Sequence, residues 1–480
     1  MNFNSLQYAI FLPCVFVCFW ALPNRHRWAL LLAASYYFYM SWNARYVVLI
    51  LLTTLVSYFA AIAIERAADR RKKRAVLWGA LLVCLGVLFV FKYLNFFSAS
   101  VHALMSRFLL RPHPVTLKLL LPVGISFYTF QTLSYVIDVY RGEIPAERHF
   151  GVYAAFVSFF PQLVAGPIER ASNLLPQIRA EHRFNADKAL DGAKLMAWGF
   201  FKKIVVADNL AVYVDAVYAD LPAYRGFAMA VAAVCFAVQI YCDFSGYSDI
   251  ARGTAKLMDI ELMQNFRSPY FAASIREFWS RWHISLSTWF RDYVYIPLGG
   301  SRVGRARHYR NLLITFLASG LWHGANWTFV IWGALHGLMQ ILEKALRLPP
   351  APKRGTVRCL RVLGVFCFVT LAWVFFRAQS LPDALYVLRH MFDGISSPLA
   401  YVTLGFNALR ITRRRLVFCL LCYFAPLAVM DALSAEGEPA PAAVEKGSRP
   451  VRWAFYIVLG LMLVLFSQKG VAADFIYFQF

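Results

Sequence analysis

The sequence predicts an all-α protein that crosses a lipid bilayer many times. Of its 480 residues, 60% are apolar and only 16% are charged. Its mean hydropathy is +0.53, whereas a soluble domain carries roughly a quarter charged residues. Several apolar runs approach the roughly 20 residues that a helix needs to span a hydrocarbon core of about 30 Å. The cleanest are Tyr46–Ile64, Ala75–Phe91, Gly226–Tyr241 and Trp453–Ser467. These runs lack the alternation of apolar and polar residues that marks the strands of a membrane barrel.

The charge pattern fits the same class. There are 49 basic and 26 acidic residues, a net charge of +23. Many of the basic residues sit in short stretches between apolar runs, as in Glu65–Arg74, Ser301–Arg310 and Arg413–Arg415. Loops retained in the cytoplasm have this composition. The partner it implies is the lipid bilayer, and no nucleic acid is expected. Of nine cysteines, most lie in apolar runs and behave as small hydrophobes. Cys419 and Cys422 form a C-x-x-C, but no histidine or second pair stands nearby, so neither a metal site nor a disulfide framework is expected. Met1-Asn2-Phe3-Asn4 brings no basic residue ahead of the first apolar run, which reads as a retained first segment.

Taken in order, Glu65–Arg74 holds six Lys/Arg and is assigned to the cytoplasm. Tyr46–Ile64 then runs inward and the short Trp28–Trp42 segment outward, so Asn24–Arg27 is inside and the N-terminus outside. Ala75–Phe97 runs outward, Ser98–Pro114 is external, and Val115–Tyr140 returns to Arg141–His149 inside. Gly151–Ile168 contains Pro161, Gly166 and Pro167 and is expected to be re-entrant. Glu169–Lys188 is polar, a cytoplasmic loop or surface helix. The prediction is about nine to eleven membrane helices plus re-entrant or interfacial pieces. A single membrane domain covers 1–480, with core motifs at 115–345, a linker at 436–452 and a last span at 453–469. No internal repeat is visible, which argues against a transporter built from paired repeats.

Three segments hold the residues that can do chemistry. Tyr270–Gly300 is too polar to span. As one helix it would align Phe278, Trp282, Leu286, Trp289 and Tyr293 on a stripe, with Glu277 and Arg281 paired at i,i+4. It reads either as a surface anchor or as a helix aiming Arg281-Trp282-His283 inward. Asn311–Ala345 is 35 residues of mostly apolar sequence, about 50 Å as a single helix. It has to break, tilt or protrude, and its weak helix formers cluster at Ser319–Asn326. A break there places His323 inside the membrane beside Trp322, with Asn326 one turn on. Such a histidine either bonds a neighbouring helix or serves a function. His336 lies thirteen residues further, about 20 Å away along a helix, and reads as packing. Asp243 and Asp249 follow an apolar run; they either cap the next helix, orient a histidine or bind a cation. His182 and Asp187 match H-x-x-x-x-D, but in a polar loop without apolar or glycine-rich context, so the match is attributed to chance. No nucleophile elbow, P-loop or zinc motif is present.

Five stretches resemble the bacterial branch of the membrane-bound O-acyltransferase family. They are Leu121–Glu143, Phe159–Ile168, Tyr241–Ala251, Asn265–Arg302 and Ser319–Gly337, and the ending Phe475–Phe480 also fits. That branch modifies alginate, peptidoglycan and teichoic acid. The resemblance implies a ring of helices around a central tunnel, with a funnel opening on each side. It maps the near-invariant histidine onto His323 and the histidine of the R-W-H motif onto His283 as the catalytic pair. Arg281, Trp282, Trp322, Asn326 and Asp243 are the accompanying candidates for substrate binding, and no metal is implied. The implied reaction takes an acetyl group from acetyl-CoA in the cytoplasm, with no bound cofactor, to O-acetylate an extracytoplasmic polysaccharide such as alginate. A periplasmic SGNH-type or related acetyltransferase subunit is the implied partner, and the cytoplasmic (inner) membrane of a bacterium the location. The same resemblance leaves open peptidoglycan O-acetylation and D-alanyl transfer to teichoic acid. Outside the enzyme class, the competing reading is an export transporter or scaffold.

Overall fold

The computed structural model describes all residues except 109–112, 114, 118, 353, 435–439, 467–474 and 477–480. Every regular element among the described residues is helical. Among the described residues, six helical stretches are long and apolar enough to cross a membrane: Asn24–Arg66, Arg70–Ser106, Phe227–Leu257, Thr356–Arg377, Arg413–Ser434 and Arg449–Phe466. The chain is a multi-pass membrane protein. Its helices gather into two compact units, Met1–Met196 with Ile250–Met263, and Ala197–Asp249 with Gln264–Phe480.

The first unit begins with α1 (Leu6–Ala21), α2 (Asn24–Asn43) and α3 (Val47–Arg66). The Ser5 hydroxyl caps α1 by accepting from the Tyr8 N–H at 3.2 Å. The predicted spans Trp28–Trp42 and Tyr46–Ile64 fall in α2 and α3, separated by a tight turn at Ala44–Tyr46. The helices α4 (Arg70–Leu88) and α5 (Leu94–Ser106) are joined through a π-helical turn at Phe89–Tyr93. Next come α6 (Ile125–Arg141), α7 (Phe150–Ser158), α8 (Ala171–Arg179) and α9 (Ala186–Phe200). As predicted, Gly151–Ile168 does not span: α7 stops at Ser158 and the chain turns back through Pro161 and Gly166. Irregular backbone deep in a membrane protein has to be satisfied by protein groups. Ser35 Oγ accepts from the Phe160 N–H at 3.0 Å, and the Gln131 side-chain amide donates to the Phe156 carbonyl at 2.8 Å. At the head of α6, Gly124 has φ +77°, and a Cβ there would lie 2.5 Å from the Leu163 carbonyl oxygen. Only glycine fits that approach.

The second unit contains α10 (Asp208–Ala219) and most of α11 (Phe227–Leu257), followed by α12 (Ile275–Arg281) and α13 (Ile284–Phe290). Then come α14 (Arg305–His323), α15 (Trp327–Ala345), α16 (Thr356–Arg377) and α17 (Leu381–His390). The chain continues through α18 (Pro398–Ala408), α19 (Arg413–Cys419), α20 (Ala425–Ser434), α21 (Ala440–Glu445) and α22 (Arg449–Phe466). Two expectations are corrected here. Tyr270–Gly300 is not one helix, because the backbone leaves the helical region at Trp282 and His283 and so separates α12 from α13. Asp243 and Asp249 cap nothing, because α11 runs uninterrupted past both. Of the predicted linker 436–452, residues 436–439 lie outside the described residues, α21 occupies Ala440–Glu445, and α22 already begins at Arg449. The predicted last span at 453–469 corresponds to α22, with 467–469 outside the described residues, as is most of the ending 475–480.

Candidate active site

The break predicted in Asn311–Ala345 is present. α14 ends on His323, and the Gly324 backbone is extended at φ −160°. Asn326 then starts α15 by accepting the Thr328 N–H at 3.1 Å on its side-chain oxygen, while its amide donates to the Gln379 carbonyl at 2.9 Å. Asn326 therefore fixes the geometry of the break. The two helices pack closely as a hairpin: a Cβ on Gly320 would meet the Phe329 carbonyl oxygen at 2.3 Å, and one on Gly333 the Phe316 carbonyl oxygen at 2.3 Å.

His323 is buried, with its ring 5.0 Å from Trp322, 5.0 Å from Trp332 and 5.3 Å from Phe376. His283 is fully buried and holds the left-handed conformation, φ 44° and ψ 54°, between α12 and α13. A non-glycine residue there is uncommon, and such strain concentrates at functional sites. The two imidazole centres are 6.3 Å apart, tilted by 60°. A small group between them can touch both. Trp322 lies 6.0 Å from His283, and Phe244 stands edge-on to it at 4.6 Å.

The other candidates take different places. Trp282 is buried among Phe278 (5.5 Å), Trp373 (5.0 Å) and Tyr241 (6.2 Å), part of the aromatic packing behind His283. Arg281 turns to Glu277 at 2.8 Å, the predicted i,i+4 pair, and donates to the Arg267 carbonyl at 3.4 Å. Asp243 accepts from Lys203 Nζ at 2.6 Å and from the Ile476 N–H at 2.7 Å. Asp249 pairs with Lys202 at 2.6 Å. A buried carboxylate needs such partners. Lys202 and Lys203 carry a sequence signal of their own, two adjacent lysines inside the apolar run 197–207. In the first unit, His182 contacts Asp259 at 3.2 Å and the Gln177 carbonyl at 2.7 Å. Burial pushes the Asp259 carboxyl up, but hydrogen bonds from Lys188 and His182 outweigh it and hold the group below its ordinary value.

The second unit also contains a cavity of about 1180 Å³ that periodicity could not reveal. Its inner wall includes Trp279, Phe316 and Ser319, and Ser319 precedes His323 by one turn of α14. Its more exposed side carries Arg276, Arg291, Lys344, Arg347 and Arg361, with the buried His308 beside Lys344. Among the described residues of the lining, Glu343 is the one carboxylate, and it accepts the N–H groups of Ile275 (2.6 Å) and Arg276 (3.3 Å). The cavity thus pairs an excess of positive charge outside with apolar and hydroxyl surface inside.

Residues 145–381, a span that includes both histidines, match the membrane-bound O-acyltransferase family. Over nearly its whole length, the chain is 38% identical over 485 residues to the probable alginate O-acetylase AlgI of Pseudomonas putida, covering 98% of each protein. The chain belongs to the membrane-bound O-acyltransferase family. It is an acyltransferase, as the sequence motifs predicted. It is also 45% identical over 387 residues to the probable alginate O-acetylase AlgI of Azotobacter vinelandii, covering 80% of this chain and 76% of that protein. To the peptidoglycan O-acetyltransferase of Helicobacter pylori it is 38% identical over 395 residues, covering 76% and 74%.

Proposed function

We propose that this acyltransferase moves an acetyl group from acetyl-CoA in the cytoplasm to a polysaccharide outside the bacterial inner membrane. The acceptor is an alginate-like exopolysaccharide, and a periplasmic SGNH-type or related subunit completes the transfer. The observation that carries this reading is the meeting of His323 and His283, 6.3 Å apart, one turn of α14 from the inner end of the cavity. The names of the relatives support the acetyl group and the polymer. The basic, more exposed side of the cavity suits a phosphorylated donor.

The chemistry follows from a neutral imidazole. His323 takes the proton of the attacking hydroxyl as its oxygen bonds to the thioester carbonyl carbon. The carbon–sulfur bond then breaks, and the proton passes to the departing thiolate. His283 orients the acceptor. General acid–base catalysis contributes typically 10²–10⁴-fold, so His323→Ala is expected to lower transfer at least about a hundredfold with protein level unchanged.

The deciding experiment measures acetate released by alkali from purified exopolysaccharide and purified peptidoglycan of a deletion strain. The strain is complemented with wild-type or His323→Ala protein. Loss from the exopolysaccharide, restored by wild type alone, supports the proposal. Loss from peptidoglycan instead moves the acceptor to the second reading, which the Helicobacter pylori relative favours. Unchanged acetate in both polymers overturns acetyl transfer.

A further inference from the structure

The short helix α13 begins on His283 without using it as a cap. The residue at this position ordinarily turns a side-chain oxygen toward the first N–H groups of its helix. The His283 side chain makes no such bond. Asn265, from the irregular segment that precedes α12, takes the task instead. Its backbone carbonyl accepts the Ile284 N–H at 3.0 Å, and its side-chain oxygen accepts the Ser285 N–H at 3.2 Å and the Ser285 hydroxyl at 2.7 Å. The side-chain amide donates to Ser248 Oγ on α11 at 3.3 Å. A carboxamide suits this place, because its oxygen accepts two hydrogen bonds while its nitrogen donates. Asn265, Ser285 and Ser248 are all buried, so water does not compete for these bonds.

The same segment grips the chain on the other side of His283. The Arg267 N–H donates to the Arg281 carbonyl at 3.0 Å. Arg281 and Ile284 are thus both tied to residues 265–267, which leaves the two residues between them little freedom. Trp282 is extended at φ −103°, and His283 is left-handed. A histidine persists in that conformation only where its surroundings over-determine it. Phe266 adds packing: its ring stands edge-on to Trp282 at 5.1 Å and to Phe244 at 5.0 Å. Phe244 in turn lies edge-on to the His283 imidazole, and Ser248 is one turn further along the same helix. The Asn265 side chain therefore joins the helix that starts at His283 to the helix whose ring packs on His283.

We infer that Asn265 is a positioning residue for acyl transfer. It caps α13 in place of His283, so that the imidazole, not needed as a cap, faces His323 across 6.3 Å. It also fixes the left-handed turn that aims the imidazole. Loss of its side-chain oxygen relaxes that turn and moves His283 out of register with His323, while the surrounding helices stay packed. A misplacement of about 1 Å at a reacting centre can cost about a hundredfold in rate. The inference rests on the role of His283 in the transfer proposed above and adds what holds it in place.

The test measures initial rates of radiolabelled acetyl incorporation into envelope polymers in the complemented deletion strain, per amount of folded protein recovered by gel filtration. Asn265→Leu matches the volume but accepts no hydrogen bond, and should lower the rate at least about tenfold. Asn265→Asp keeps the accepting oxygen, and the Ser248 hydroxyl can turn to donate to it. Its rate should return to within about threefold of wild type, although a buried carboxylate makes it the less stable protein. In a His283→Asn background, Asn265→Leu should change the rate less than about twofold, because no imidazole remains to be misplaced. An unchanged rate in Asn265→Leu, no recovery in Asn265→Asp, or the full loss repeated in the His283→Asn background each overturns the inference. Should Asn265→Leu give no folded protein, Ser285→Ala, which removes one hydroxyl from the same oxygen, enters the same comparison. It is expected to lose about threefold, and only when His283 is present. His283→Asn at the wild-type rate overturns the role of His283 itself, and with it the one assigned to Asn265.

Discussion

His283 sits where α12 ends and α13 begins, in a left-handed backbone conformation that most side chains avoid. Asparagine tolerates this conformation, whereas a β-branched residue does not. His283→Asn is therefore expected to fold with near wild-type thermal stability and to lose most acetyl transfer. His283→Val should lose both, with the folded state destabilised by roughly 2 kcal/mol. Thermal unfolding in detergent and acetate release separate the two effects. A His283→Val protein as stable as wild type would remove the backbone argument. Lys203 makes a second residue-scale case. It lies 2.6 Å from Asp243 and 2.8 Å from Asp208, with all three side chains little exposed. Removing one partner of a buried pair leaves an uncompensated charge, at a loss of about 3–5 kcal/mol. Lys203→Ala should thus lower the amount of folded protein, and a normal yield would count against the pairing.

At the scale of the element, the α14–α15 hairpin aims His323. Its closeness depends on Gly320 and Gly333, where a Cβ would overlap a backbone oxygen of the opposite helix. Backbone cannot yield as a side chain can, so Gly333→Ala should destabilise by about 1–3 kcal/mol and reduce transfer as His323 shifts. Gly79→Ala is the control: nothing lies within 4 Å of its added Cβ. There the substitution should be neutral or stabilise by up to about 1 kcal/mol, because alanine is the better helix former. Equal outcomes for the two variants would show that packing is not what Gly333 provides.

For the whole molecule, stability should depend on pH through Glu169. This buried carboxyl accepts from the Asn173 amide at 2.8 Å and the Met263 N–H at 2.5 Å. Burial, only partly offset by these bonds, pushes it up to about 7 from an ordinary value of 4.5. A raised carboxyl favours the folded state below its unfolded value, and the benefit fades as pH rises through the folded one. Unfolding temperature should therefore fall between pH 5.5 and pH 8, and Glu169→Gln should flatten the change. An identical slope in the variant would assign the dependence to other groups.

The sequence by itself determined the membrane class and the helical architecture. Long apolar runs leave a chain few other structures in lipid, and Ser319–Asn326 announced the break beside His323. It also anticipated the turn after Ser158, since Pro161 lacks the N–H that a continuing helix needs and Gly166 is a weak helix former. The stripe Phe278–Tyr293 shows the limit: side-chain spacing found the buried face but not the break at His283, because φ is a backbone property that neighbours impose. Only the tertiary structure decided that Asp243 and Asp249 meet Lys203 and Lys202, and that a cavity ends one turn from His323. Each of these depends on residues far apart in the chain, and their distances are set by packing between helices.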